Sequence, residues 1–368
     1  MLISSDPWTE RELRGRTVLL AMSGGVDSSA AAVLLQQRGA HVLGVTMKNF
    51  CYSNVGSDGD SSCCSLSHVL DARRVCDKLG IEHFLLDVTQ AFGARVIDHF
   101  VEEYDAGRTP NPCVDCNGTV RFPVLLERAR ELGAEFVATG HYARIARAAN
   151  GRSYLRRAAD SAKDQSYFLH GVPEACLERT LFPLGDRVKR EVRAVAAAAG
   201  LDVATKSESQ EICFLPHGDR GEFLRKHGSA RAGNVVDLAG HTLAAHDGIG
   251  NFTVGQRRGL QVAAGKPLYV HHIEARTHTV VVGPDESLWS DGVLLDSFWF
   301  HGEAAVPDLA VQMRSRSTPA RLRALELDAG AARLHFAAPE RAVAPGQAGV
   351  VYDGDVVVGG GRIVAAVG

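Results

Sequence analysis

The chain has 368 residues, enough for two or three domains at roughly 100–200 residues each. Its 45% hydrophobic and 23% charged residues lie near globular averages and exclude a disordered chain or a coiled coil. The net charge of −3 argues against coating nucleic acid by global attraction, although local basic stretches can still meet phosphates. The N-terminus is charged before any apolar run, and no stretch approaches the roughly 20 apolar residues of a membrane span. A cytoplasmic protein with no membrane partner is expected. Eight cysteines, at positions 51, 63, 64, 76, 113, 116, 176 and 213, are too dilute and irregular for a secreted disulfide scaffold.

The first 200 or so residues alternate short apolar runs with amphipathic stretches, the pattern of strands and crossover helices in a doubly wound parallel α/β sheet. Strands are predicted over 17–22, 42–46, 84–88 and 135–139. Phe92, Val96 and Phe100 recur every four residues, and Phe122, Leu125, Leu126, Ala129 and Leu132 follow the stripe of an amphipathic helix. Two stretches break the rhythm and read as functional loops: a Gly/Ser/Cys-rich segment over 54–65, and 107–118, which holds two prolines and two cysteines. The alanine-rich run 194–199 reads as a helix end capped by Gly200. After Phe214 short runs at 268–273, 279–282, 293–295 and 350–352, separated by Gly, Pro and Asp, predict antiparallel β structure: one small domain, then a barrel or sandwich.

Directly after the first strand comes Ser23-Gly24-Gly25-Val26-Asp27-Ser28, with a helix expected from Ser29 onward. Adjacent glycines let backbone approach an anion, and a helix N-terminus points unpaired N–H groups at it. The loop lacks the lysine of a Walker motif and the spacing of a dinucleotide fingerprint. The plain alternative is a turn that only caps a helix. Cys113 and Cys116 lie in RTPNPCVDCN (108–117) and Cys213 in SQEICF (209–214). A thiolate is a strong nucleophile that can carry a persulfide, so opposed cysteines could receive and deliver one sulfur atom. Half of a zinc site, an iron–sulfur cluster on Cys113, Cys116 and Cys213, and inert burial are the other readings of these residues. Cys51, Cys76 and Cys176 read as structural, and Cys63-Cys64 as ambiguous.

The loop resembles the SGGxDS motif of the ATP pyrophosphatase superfamily, whose members bind the β,γ-pyrophosphate of ATP and transfer AMP to a substrate oxygen. Together SGGVDS, RTPNPCVDCN, ATGHYAR (138–144), AKDQSYFL (162–169), SQEICF, FTVGQRRGL (252–260) and APGQAGVVYDGD (344–355) resemble the bacterial tRNA-specific 2-thiouridylase family over nearly the whole chain, in order. The resemblance implies an ATP-pyrophosphatase catalytic domain of the adenine nucleotide alpha hydrolase-like class over 1–211. A small central domain over 212–286 and a C-terminal β-barrel contacting tRNA over 287–368 would follow. It implies an ATP site at Ala21, Met22, Ser23, Gly24, Gly25, Val26, Asp27 and Ser28, with Met47 and Gly140 near adenine, and Asp27 organising Mg²⁺. Cys116 would be the nucleophile and Cys213 the persulfide carrier, able to form a disulfide with each other during turnover. Asn111, Pro112 and Cys113 would touch the target base, and His141, Lys163, Asp164, Gln165, Arg314, Ser315 and Gln347 the rest of the tRNA. Relatives carry an aromatic residue where this chain has Ser315, and can carry Asp where it has Cys113. A cysteine desulfurase or sulfur-carrier protein would supply the persulfide. The reaction implied is adenylation of the C2 oxygen of the wobble uridine followed by sulfur transfer. A small-molecule amide- or amidine-forming synthetase with the same loop is the enzymatic rival, and a non-catalytic RNA- or metal-binding module the rival of another class.

Overall fold

The computed structural model describes residues 12–50, 66–148, 151–207, 212–215, 219–228, 230–262, 265–302 and 306–368, with the short strand Ile3–Ser4. Cys51, Cys63, Cys64, the whole of 54–65 and residues 209–211 fall outside the described residues. Contacts divide the chain into two units. One comprises Met1–Val96, Cys113–His217 and Asp355–Val357, the other Ile97–Pro112, Gly218–Gly354 and Val358–Gly368. Among the described residues no helix is long and apolar enough to cross a membrane.

The first unit is built on strands β1 (Thr17–Ala21), β2 (His41–Lys48), β3 (Glu82–Asp87) and β4 (Phe136–Ala138). An antiparallel hairpin of β5 (Arg144–Ala148) and β6 (Ser153–Arg156) follows, then the two-residue β7 (Thr180–Leu181). The order β3-β2-β1-β4-β7 is parallel throughout. The crossovers include helices α1 (Val26–Gln37), α2 (Leu66–Leu79) and α3 (Phe122–Glu131), and α4 (Lys189–Ala198) follows β7. β1 is a continuous apolar run because both its faces are covered. Val18 and Leu20 share a core with Ala30, Ala31 and Ala32 of α1 and Val192 and Ala196 of α4, while Leu19, on the opposite face, is equally buried. The predicted strands and the α3 stripe are present: Phe122, Leu125, Leu126 and Ala129 are its buried positions.

Two local expectations are corrected. The helix after the phosphate loop starts at Val26 rather than Ser29, because extended Gly25 is its N-cap and Asp27 and Ser28 already lie in the first turn. The segment 107–118 is not all loop. A helical turn begins at Pro112, passes into a π-helical stretch (Cys116–Arg121) and runs on into α3. Proline suits a first helical position because its φ is already helical and its missing N–H would have no partner there.

The second unit holds a four-stranded sheet and a barrel. α5 (Arg220–Lys226) precedes β8 (Gly233–Asp237), β9 (Thr242–His246), β10 (Tyr269–Glu274) and β11 (Thr279–Gly283), ordered β9-β8-β11-β10 over a core that includes Val235, Phe252, Leu260, Val270 and Val280. The barrel strands are β12 (Trp289–Phe300), β13 (Leu309–Gln312), β14 (Ala320–Asp328), β15 (Ala331–Arg341), β16 (Ala348–Asp353) and β17 (Val356–Val367). Their order β17-β12-β15-β14-β13-β16 returns to β17, a closed six-stranded barrel rather than a sandwich. Alternate residues such as Val293 and Leu295, or Ala332, Leu334 and Phe336, are the buried ones.

The helix Asp98–Asp105 and the RTPN motif belong to this second unit. Glu103 is buried and accepts from Arg108 Nε at 2.8 Å, from Arg108 Nη2, and from Arg362 Nη1 of β17 at 3.1 Å. Gln347 Nε2 donates to Thr109 O at 2.7 Å, and Thr109 N donates to Pro345 O at 2.8 Å. Gly346 adopts φ +89°, and a Cβ there would stand 2.8 Å from Thr109 N, so only glycine permits this grip. The stem of the cysteine segment is thus fastened to the turn before β16.

Burial opposes ionisation of Glu103, but the hydrogen bonds and charges of Arg108, Arg362 and His99 outweigh it and hold its carboxyl below the ordinary 4.5. A depressed carboxyl contributes stability above its unfolded pKa and loses it as pH falls through the folded one. Wild-type stability should therefore fall as pH drops below about 4.5, and Glu103→Gln should flatten that part of the profile. The substitution should also cost about 1.5–3 kcal/mol at neutral pH, the worth of hydrogen bonds to a charged group. Denaturant unfolding of both proteins between pH 3 and 7 checks both expectations.

Candidate active site

The order β3-β2-β1-β4-β7 reverses direction between β1 and β4, the place where open parallel sheets bind ligands beyond their strand ends. The SGGVDS loop leaves β1 there, and Gly140 and His141 follow β4. Gly24 has φ +69°, and a Cβ would lie 2.2 Å from His68 O. Gly140 is pressed against the first turn of α1, where a Cβ would meet Ser28 N at 2.7 Å. Ser28 Oγ accepts from Ser23 N at 3.1 Å and donates to Gly25 O at 3.2 Å, while Ser29 Oγ donates to Gly25 O at 2.8 Å. These bonds fold the loop into a cradle around the start of α1, whose first N–H groups have no partner within the helix.

Two lysines that sequence reading missed complete the cradle. Lys189 Nζ, from the first residue of α4, donates to both carboxylate oxygens of Asp27, at 2.7 and 2.9 Å. Tyr142 Oη donates to Asp27 Oδ1 at 2.9 Å. Lys206 Nζ donates to Gly24 O at 3.3 Å and to Asp71 Oδ2 at 2.7 Å. The bond from Lys206 outweighs the effect of burial and holds the Asp71 carboxyl below its ordinary range. Asp27 supplies one partly exposed carboxylate at the helix start. That suits Mg²⁺, which takes one or two carboxylates and draws its other ligands from phosphate and water.

A cavity of about 600 Å³ opens at this point. Of the expected ATP residues, Ala21, Met22, Ser23, Asp27, Ser28, Met47 and Gly140 line it, while Gly24, Gly25 and Val26 shape the loop behind that wall. Val45, Val69 and Leu85 add apolar surface suited to a base. His141, Gln165, Arg121 and Cys213 line the same cavity. His141 Nε2 lies 3.4 Å from Arg121 Nη1 and Nδ1 lies 2.8 Å from Thr139 Oγ1. A guanidinium only donates, so Nε2 accepts and Nδ1 carries the proton. Burial, with Arg121 beside it, pushes His141 down to about 3, so it is a neutral imidazole at working pH and no proton donor. Arg121 also donates to Asn117 Oδ1 at 2.8 Å, and Asn117 Nδ2 donates to Phe168 O at 3.0 Å.

The three cysteines occupy different settings. Cys116 is buried at the start of the π-helical stretch, Cys213 is half-buried and faces the cavity, and Cys113 is exposed; all three are reduced thiols. Although Cys113 reaches the surface, the protein packed around it and the nearby Cys116 push its thiol up to about 11, so it is protonated at neutral pH. Among the described residues no three His, Cys, Asp or Glu side chains are gathered to hold a metal ion. Burial also pushes the Cys76 thiol up to about 12, the state of an inert core residue.

The residues expected to touch RNA divide by what their side chains already do. Gln165 Oε1 accepts from Tyr142 N at 2.9 Å at the edge of the cavity. Asp164 is turned inward, accepting from Ala158 N, Ser166 N, Ser166 Oγ and Arg157 Nη1, and so shapes the turn that carries Lys163. In the second unit Asn111 is half-buried and Pro112 buried. Gln347 holds Thr109, as described above, and Arg314 Nη2 donates to Val254 O at 3.0 Å and Ala342 O at 2.8 Å. Ser315 O accepts from Gln312 Nε2 at 3.1 Å.

Three family models match in succession: a tRNA methyl transferase HUP domain over residues 16–217, a tRNA methyl transferase PRC-barrel domain over 221–284 and an aminomethyltransferase β-barrel domain over 290–363. The tRNA-specific 2-thiouridylase MnmA of Geotalea uraniireducens is 46% identical over 362 residues, covering 96% of each chain. That of Geobacter metallireducens is 46% identical over 358 residues, with 95% of this chain and 97% of the relative covered. That of Pelotomaculum thermopropionicum is 43% identical over 357 residues, with 94% and 96% covered. With a glycine-rich loop at a helix start, a cavity-facing cysteine and full-length similarity in agreement, this chain belongs to the tRNA-specific 2-thiouridylase family.

Proposed function

We propose that the chain is a tRNA-uridine 2-sulfurtransferase that uses ATP to convert the C2 carbonyl of the wobble uridine to a thiocarbonyl. The observation that carries this reading is that Cys213 lines the same cavity as Ser23, Asp27 and Ser28. A phosphate cradle and a sulfur nucleophile then serve one substrate. A synthetase for a small amide needs no such cysteine.

The C2 carbonyl is a poor electrophile and its oxygen cannot leave as oxide. Attack of that oxygen on the α-phosphorus of ATP forms the O–P bond and expels pyrophosphate into the cradle, where the N–H groups opening α1 stabilise the departing charge. Mg²⁺ accompanying the pyrophosphate would be held at Asp27 and would offset its charge. Lys189 keeps the Asp27 carboxylate in place. Sulfur carried on Cys213 then reaches C2 by one of two routes: the terminal persulfide sulfur attacks C2 and the Cys116 thiolate then attacks Cys213 Sγ and breaks the S–S bond, or Cys116 attacks Cys213 Sγ first and the hydrosulfide released attacks C2. Either route leaves a Cys116–Cys213 disulfide, which an external thiol reduces before the next turnover. The C2–O bond breaks, AMP leaves with the oxygen, and 2-thiouridine remains. A stacked base is out of reach, so the uridine must be a loop nucleotide swung into the cavity. The neutral state of His141 supports a binding role for it, not a protonating one. The catalytic part ends near residue 211, a central domain runs over 212–286 and the barrel follows to 368. Persulfide comes from a cysteine desulfurase or a sulfur-carrier protein, and the setting is cytoplasmic.

Mass spectrometry of tRNA nucleosides after anaerobic incubation with ATP and a persulfide donor tests the activity directly, and ATP-dependent 2-thiouridine is expected. Asp27→Ala should lower AMP formation at saturating tRNA by about 100-fold or more, the scale on which a lost charge-stabilising group acts. Near-wild-type turnover would remove Asp27 from the site. Among serine variants, Cys213→Ser should lose both labelled persulfide and thiolation, Cys116→Ser should still accept sulfur at Cys213 without turning over, and Cys113→Ser should keep measurable activity. Thiolation by Cys213→Ser from a persulfide donor, without free sulfide, would overturn the relay.

A further inference from the structure

The motif FTVGQRRGL has no part in the chemistry above, yet its loop is built with care. Gly255 N donates to Val270 O at 2.8 Å and Val270 N donates to Gln256 O at 2.9 Å, so the loop is stitched to the first residues of β10. The Gln256 side chain clamps it twice, with Oε1 accepting from Thr253 N at 3.0 Å and Nε2 donating to Arg258 O at 2.9 Å. Gly255 and Gly259 adopt φ +85° and +79°. At Gly255 a Cβ would stand 2.6 Å from Ala342 Cβ. Arg314 adds its two bonds, to Val254 O and Ala342 O. Val254 and Leu260 are buried on either side.

This scaffold displays Arg257 and Arg258, both exposed. Exposed Lys266 joins Arg257 along a concavity of about 440 Å³ that has no acidic residue in its lining. Among the described residues, none of these three cationic side chains forms an ion pair or hydrogen bond. Two adjacent guanidinium groups on one loop repel each other and return nothing to the fold, unlike Arg341 and Arg362 of the same unit, which are paired with carboxylates. Unpaired, pre-ordered cations around a shallow, acid-free hollow are the arrangement that an anionic polymer satisfies by releasing its counterions.

We propose that Arg257, Arg258 and Lys266 form a phosphate-contacting surface for the RNA substrate, held in shape by Gln256 and Arg314. The proposal rests on the tRNA-modifying function above and adds a region of the chain to the RNA-binding surface. It also assigns Arg314 a positioning role, its guanidinium being bonded to the loop that carries the contacts.

The test is tRNA binding by the full-length protein as a function of salt, comparing wild type with Arg257→Gln/Arg258→Gln and with Lys266→Gln. Each lost phosphate contact should lower the slope of log K against log salt by roughly 0.7–0.9. Between about 50 and 200 mM salt the wild type should then lose roughly tenfold more affinity than the double variant. Lys266→Gln should lower the slope by half as much, roughly a threefold difference in affinity loss over the same range. Substitution of exposed, unbonded side chains leaves the fold intact, which circular dichroism checks. A wild type that binds tRNA with a steep slope, beside a double variant of equal affinity and slope, would overturn the surface while leaving the enzyme reading in place. A wild type that does not bind tRNA would overturn both.

Discussion

The approach of Gly140 to the first turn of α1 is the constraint on which the active site depends. With no side chain at 140, the end of β4 lies against Ser28 N, and the N–H groups that open α1 face the space beyond the sheet. The same approach brings Thr139 and His141 to the wall of the cavity that Ser23 and Asp27 line. Gly24 repeats the device on the other side, where its left-handed φ and the nearby His68 carbonyl leave no room for a Cβ. Both contacts are steric, and they leave the centre of the site free for charge.

Charge in that centre is arranged in pairs. Asp27 is held by Lys189 and Tyr142, and Lys206 spans Gly24 O and Asp71, so the loop carries cations and anions in a fixed geometry. Preorganised groups stabilise a leaving pyrophosphate without reorganising at the moment of reaction. Arg121 stands apart from this cradle, bonded to Asn117 and His141 and lining the cavity that Cys213 also lines. One cavity thus has the glycine-rich loop on one wall and a thiol on another, an arrangement that the proposed activation of an oxygen and its replacement by sulfur would use.

Much of this was legible in the sequence where the signal is local. The apolar run of β1, the glycines and serines after it, and the 3.6-residue stripe of α3 each lie within a few residues, so periodicity and turn chemistry identify them. Lys189 and Lys206 escaped because their partners lie 162 and 182 residues away and nothing in their neighbourhoods sets them apart from surface lysines. The reading of 107–118 as loop failed because two prolines look like breakers, whereas Pro112 stands where a helix tolerates proline best. Gln347 and Arg314 drew notice only through the resemblance, as RNA contacts; the backbone carbonyls that each also binds lie far along the chain, and no short-range pattern announces those bonds.

The central claim is that the C2 oxygen of uridine is activated by transfer of AMP and leaves with it. The direct measurement is isotopic: tRNA carrying oxygen-18 at C2 of the wobble uridine, incubated with ATP and a persulfide donor, followed by mass spectrometry of the nucleotide products. The account predicts one heavy oxygen in AMP for each 2-thiouridine formed and none in pyrophosphate. Heavy oxygen released to water, with AMP unlabelled, would contradict it.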